Sequence, residues 1–125
     1  MSRYFTITAI ICTMIIGVFS VQAEKETELY IPIGHSPGLS GKYTVMGKID
    51  QVDSKNQSII MSGSSGSYSV QLTPDTSIYL DRSKAKLPNT YGTLADCKAG
   101  DTVEVKFEDN SHNKPAQWIK VEKAK

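Results

Sequence analysis

Few residues in this chain could carry out catalysis, and their spacing matches no common catalytic motif. The sequence has two cysteines, Cys12 and Cys97, and two histidines, His35 and His112. A catalytic thiolate needs a nearby base in an electropositive setting, whereas both histidines lie in segments rich in glycine, proline or asparagine. Paired carboxylates, glycine-rich phosphate loops, Gly-x-Ser-x-Gly elbows and His-Glu-x-x-His patterns are all missing from the sequence. We therefore predict that the protein is not an enzyme.

Aromatic residues point to a different kind of chemistry, the binding of a ligand or partner. If Ile119 and Val121 face the core, alternation along a strand places Trp118 on the outside. The same argument places Met46 and Tyr79 outside. Tryptophan, tyrosine and arginine dominate the energetics of interfaces. The candidate binding residues are therefore Trp118, Tyr79, Tyr91 and Arg82.

A second explanation of these outward aromatic residues stays open. The segment before the first predicted strand contains apolar residues that have no strand of their own to join. These residues are Leu29, Tyr30, Ile31 and Ile33. The segment could fold back and cover Trp118, in which case the aromatic face is a packing surface rather than an open binding surface.

The first 23 residues have the three-part pattern of a cleavable signal peptide. Arg3 supplies a basic start, residues 4–21 are mostly apolar, and Val21-Gln22-Ala23 forms the cleavage site. We expect an exported, periplasmic protein that starts at Glu24 and has no stable membrane insertion after cleavage. An uncleaved anchor is the alternative, because about 18 apolar residues could just span a bilayer.

Size, charge and cysteine content limit the exported chain further. Roughly 100 residues remain after cleavage, which is the size of one domain. The full chain has 14 basic and 13 acidic residues, and the loss of Arg3 balances them, so we expect no nucleic-acid partner. Cys97 would be the only remaining cysteine, which excludes an internal disulfide.

Short alternating apolar runs separated by turn residues predict an all-β fold. Two prolines and three glycines in residues 24–41 favour an extended N-terminal arm, and residues 42–125 form the domain. We expect strands at residues 42–52, 58–62, 68–72, 77–80, 102–107 and 116–122, with one helical turn at 94–98. In the strand at 102–107, we expect Glu104 and Lys106 to face water.

The order of turns and strands resembles that of small exported bacterial OB-like barrels of unknown function. The resemblance rests on Gly47-Lys48-Ile49-Asp50-Gln51-Val52, Leu72-Thr73-Pro74-Asp75-Thr76, Gly100-Asp101 before the strand at 102–107, and Ile119-Lys120-Val121. It implies a barrel of five to six strands. Such domains commonly carry a core aliphatic residue three positions before the Gly-Asp pair, and this position is Cys97, so the resemblance implies a buried thiol.

The resemblance also suggests what the protein does. OB barrels often bind oligosaccharides or extended polymers on a sheet face and its loops. We therefore expect a non-catalytic periplasmic binding or interaction domain, whose partner is a periplasmic protein or a cell-envelope polymer.

The layout is also similar to that of periplasmic copper and silver chaperones of cation-efflux systems, so metal handling is the alternative function. Those proteins bind the ion with a histidine, two methionines and a tryptophan on the second and third strands. Here the second strand ends Met61-Ser62-Gly63 without a histidine, and the third has no methionine. Soft thioether ligands must cluster to select Cu(I), so we expect no metal site and no cofactor.

Overall fold

The computed structural model describes residues 25–124, and the predicted signal peptide, residues 1–23, lies outside them. Seven strands form one sheet in this part of the chain. They are β1 (Thr44–Asp53), β2 (Ser58–Gly63), β3 (Gly66–Gln71), β4 (Ser77–Asp81), β5 (Thr90–Tyr91), β6 (Thr102–Phe107) and β7 (Ala116–Glu122). Short 3₁₀ turns at Ser83–Ala85 and Leu94–Asp96 lie between strands. The all-β prediction is confirmed.

The strands are arranged in the order β3-β2-β1-β6-β7-β4-β5. Adjacent strands are antiparallel except β4 and β7, which are parallel. The sheet is open, unlike the closed barrel that we expected. The turn at residues 73–76 separates β3 from β4, and proline at position 74 lacks the N–H that a continuous strand would need.

The expected count of five to six strands is also too low for the described residues. The additional strand, β5, has only two residues, which pair with Tyr79 and Leu80 of β4. Two residues are too short to show the alternation by which strands are recognised in a sequence. The sequence of the polar segment that contains β5 therefore indicates a loop.

The inner face of the sheet forms the apolar core. Its most central residues are Val103 and Val105 of β6 and Ile119 and Val121 of β7, all 0% exposed. Cys97 joins this cluster at 3% exposure, which confirms the prediction of a core cysteine. Alternation in β6 and β7 correctly predicted which apolar residues face inward.

Residues 25–43, called the arm from here on, cover the outer face of the same strands. The arm is not extended as we expected, because it begins with a helical turn at residues 25–28 and continues as hydrogen-bonded turns. Tyr79 and Trp118 are 1% and 3% exposed, and the Tyr79 hydroxyl donates to the Lys25 carbonyl at 2.6 Å. The arm therefore lies over Tyr79 and Trp118, as the second explanation of these residues proposed, whereas Tyr91 is exposed.

One apolar residue of the arm does not take part in this packing. Ile33 is buried, but Tyr30 is 82% exposed, so its expected packing against the sheet is wrong. The amide of Tyr30 donates to the Thr27 carbonyl in a turn. Successive side chains of a turn point in different directions, and that of Tyr30 points into water.

Candidate functional site

The strand register brings five functional side chains together on the outer face of the sheet. Lys106 on β6 is directly opposite Trp118 on β7, and Glu104 is opposite Lys120. Tyr79 of β4 pairs with Lys120 from the other side. Because paired residues project from the same face of a sheet, they form two adjacent rows under the arm.

Lys120 holds the arm to the sheet through a buried ion pair. Its ammonium donates to a carboxylate oxygen of Glu28 and to the hydroxyl of Ser36 at 2.8 Å. The Ser36 hydroxyl in turn donates to Glu28 at 2.7 Å. Glu28, Ser36 and Lys120 are all buried, so every charge removed from water here has a partner.

Two further buried carboxylates bind the middle of the arm. Glu104 accepts hydrogen bonds from the amide of Gly34 at 3.1 Å and from the hydroxyl of Thr44 at 2.9 Å. Asp81 accepts one from the amide of Ile33 at 2.6 Å. Glu104 is 0% exposed, so the expectation that it faces water is wrong. It points away from the core as alternation predicts, but the arm covers that side.

Burial and hydrogen bonding shift the pKa values of three groups, Asp81, Tyr79 and Cys97. Burial opposes ionisation of Asp81, but hydrogen bonds from Ser83 and from the Ile33 amide outweigh it, so the pKa of Asp81 is lowered. Burial raises the pKa of Tyr79 to about 12 and that of Cys97 to about 11. Near neutral pH the phenol and the thiol are therefore protonated, and neither is an activated nucleophile.

The structure brings together three of the four residues that we predicted as a binding surface. The Tyr79 ring lies 5.5 Å from that of Tyr91 and 6.3 Å from that of Trp118, measured between centroids. Tyr91 is 54% exposed, whereas the other two rings are covered. Only the Tyr91 end of this aromatic row is therefore openly accessible.

The fourth residue, Arg82, binds its own loop. Its Nε donates to the carbonyl of Pro88 at 2.9 Å, and its backbone amide donates to the side chain of Asn89 at 2.9 Å. Arg82 is half-buried. These bonds fix the loop between β4 and β5 and leave the role of Arg82 in binding as a prediction.

A groove of about 980 Å³ lies between the arm and the sheet. Its lining includes five apolar residues, which are Ile31, Pro37, Leu39, Ala116 and Trp118. The polar and charged lining residues are Lys25, Thr27, Glu28, Thr73, Asp75, Lys106, Glu108 and Gln117. The arm and β7 contribute to both sets, so the groove exists only when the arm is docked.

Sequence reasoning found part of this lining and missed the rest. It identified Trp118 and the apolar character of Ile31. It missed Lys106, although alternation in β6 places that residue on the outer face. The missing information was the register, since only the pairing of β6 with β7 shows that Lys106 lies beside Trp118.

Metal-ligand clusters, membrane-spanning helices and similarity to known proteins give no indication of the function. Within residues 25–124, no group of three or more histidine, cysteine, aspartate or glutamate residues could hold a metal ion. No helix in that part of the chain has the length and apolar character to cross a membrane. Comparison of the chain with protein-family models, curated proteins and solved structures found no match.

Proposed function

We propose that this protein is a non-catalytic binding domain whose ligand lies in the groove between the arm and the sheet. The groove itself carries the proposal. Ligand sites are typically clefts of about 300–1,000 Å³ that are mostly apolar and have a few polar groups to orient the ligand. The volume of about 980 Å³ lies within that range, and the lining combines apolar side chains with polar and charged ones.

The way the arm is held supports binding rather than catalysis. Glu28, Glu104 and Asp81 are committed to hydrogen bonds that fix the arm. They are therefore not available as general acids or bases. Because the arm is already fixed, less conformational entropy is lost when a ligand binds. These hydrogen bonds therefore favour a preformed groove.

We further propose an OB-like origin for the sheet. Its terminal pairings involve β3 and β4, which follow each other in the chain with only residues 72–76 between them. Because β3 and β4 lie five positions apart in the strand order, the five residues between them can join the two strands only if the sheet coils, as the sheet of a barrel does. OB-like sheets often bind extended polymers on one face and its loops, so we expect a cell-envelope polymer or a periplasmic protein as the natural partner.

Export is the remaining part of the proposal, and the pattern of residues 1–23 supports it. Intact-mass measurement on protein recovered from the periplasm should give a chain that begins at Glu24. A membrane-retained chain that still carries Ser2 would contradict this.

Binding can be tested with the single tryptophan of the chain. Trp118 lines the groove, so a ligand there should change its emission in a saturable way. We suggest soluble peptidoglycan fragments, chitooligosaccharides and short peptides as the panel. Ile31→Arg should block the response, because Ile31 lines the groove and a charged side chain would occupy the apolar wall.

The matched control is Leu87→Arg, which makes the same type of change at an exposed position. Circular dichroism of both variants verifies folding. If a ligand binds the Ile31→Arg and wild-type proteins equally well, the binding site is elsewhere and the proposal for this groove is wrong.

A further inference from the structure

Trp118 carries an indole N–H that has no partner among the described groups, although its ring is covered. The residue is 3% exposed. Among residues 25–124, every fully buried side-chain nitrogen or oxygen has a hydrogen-bond partner, and the indole N–H donates to none of the described groups. The nitrogen must therefore belong to the small accessible part of Trp118, and Trp118 lines the groove.

Lys106 provides a second donor beside it. Lys106 is directly opposite Trp118 across the β6–β7 pair, is half-buried and lines the same groove. The ion pairs of the described residues are Lys84–Glu122, Lys120–Glu28 and Lys123–Asp101. Because Lys106 belongs to none of these pairs, its positive charge is available to a ligand.

The acidic residues that line the groove do not neutralise the charge of Lys106 in the covered part of the groove. Glu28 is already neutralised by Lys120. Asp75 and Glu108 are exposed, so water and salt screen them at the mouth. Among the charged lining residues, half-buried Lys106 therefore keeps an unpaired positive charge, and the outer rim carries the negative charge.

Part of the remaining wall is apolar. Ile31, Pro37, Leu39 and Ala116 line the groove with Trp118. A hydrocarbon chain suits such a wall, because burying it removes apolar surface from water. A carboxylate suits the two donors, because its two oxygens can accept from an indole N–H and an ammonium together.

We propose that the groove binds a free, single-chain anionic amphiphile such as a long-chain carboxylate, with its head group at Lys106 and the indole N–H of Trp118. This inference rests on the proposed function, since it takes the groove as the binding site. It adds the chemical class of the ligand and the residues that recognise the head group.

The protein is expressed from the full-length sequence, purified and titrated with three probes. Each probe is kept below its critical micelle concentration. The probes are decanoate, decyltrimethylammonium and the uncharged decyl maltoside. Trp118 emission and titration calorimetry report binding. We expect saturable decanoate binding that is at least tenfold tighter than binding of either other probe.

Variants of Lys106 test the head-group contact. Lys106→Gln should weaken decanoate binding at least tenfold, and Lys106→Arg should retain it because the positive charge remains. The control is Lys55→Gln, which removes one positive charge from the exposed β1–β2 turn and should leave the affinity unchanged.

Equal binding of all three probes, or an unchanged affinity in Lys106→Gln, would overturn the assignment of an anionic ligand. Binding to phosphatidylglycerol vesicles without binding of decanoate would also overturn it, since the occupant would then be a membrane. Failure of all three probes overturns this inference alone. The proposed function is decided separately by the saccharide and peptide panel with Ile31→Arg.

Discussion

The two faces of β7 are both buried, but different interactions bury them. Ile119 and Val121 point into an apolar core and are 0% exposed. Trp118 and Lys120 point the other way and are covered by the arm, where Lys120 is paired with Glu28. The first face depends on close packing, and the second on hydrogen bonds and charge pairing.

The two faces of β7 therefore have different roles, one in stabilising the domain and the other in positioning the arm. Apolar burial contributes to stability wherever the side chains fit, whereas a buried ion pair is weak evidence for net stabilisation because both charges lose their hydration. The contacts of Lys120, Glu104 and Asp81 instead specify where the arm lies. The inner face therefore stabilises the domain, and the outer face determines the shape of the groove.

The largest expected effect of a single substitution is on the inner face. Ile119→Ala leaves a cavity in the centre of the core and should lower the free energy of unfolding by about 2–5 kcal/mol. Urea unfolding followed by circular dichroism measures this. A loss below about 1 kcal/mol would show that Ile119 is not in a close-packed core.

A substitution of Lys120 on the outer face should lower the free energy of unfolding by less than Ile119→Ala does. Lys120→Met leaves the Glu28 carboxylate without its counter-ion and should lower the free energy of unfolding by about 1–3 kcal/mol. The cost is limited because Glu28 can move into water with the arm. Trp118 emission should shift to the red as water reaches the ring.

A second variant tests whether the loss comes from the unpaired carboxylate. Lys120→Met combined with Glu28→Gln should recover most of the stability, because no buried charge remains. If the double variant loses as much as the two single variants added together, Lys120 and Glu28 do not act as a pair.

Acid should weaken the outer face first, through Asp81. The folded-state pKa of Asp81 is lowered, so its contribution is complete above the unfolded value of about 3.9 and is lost as the pH falls through the folded value. Unfolding free energies should be compared at pH 6 and pH 3. The decrease should be smaller in Asp81→Asn than in the wild type, and an equal decrease would contradict the assignment.

The smallest change in the free energy of unfolding is expected at Tyr30, an exposed residue of the arm. Tyr30→Ser should change the free energy of unfolding by less than about 0.5 kcal/mol, since the side chain is 82% exposed. Urea unfolding checks this value. A loss above about 1 kcal/mol would indicate that Tyr30 contacts the domain in solution.

The sequence alone predicted the features that depend on residues close together along the chain. Alternation predicted β6 and β7 with the observed bounds and placed Trp118 on the outside. It did not predict the burial of Glu104, because the groups that cover it belong to Gly34 and Thr44, 70 and 60 residues away in the chain. The two-residue strand β5 was also missed, since it is defined by pairing with β4 and not by a pattern of its own.

The ion pair between Glu28 and Lys120 has a consequence for how the chain matures. These residues are 92 positions apart, so the ribosome makes the arm well before the strand that receives it. At synthesis rates of about 5–20 residues per second, roughly 5–20 s pass between the two. During that interval the apolar and acidic residues of the arm have no docking surface. The groove can therefore close only after β7 has joined the sheet.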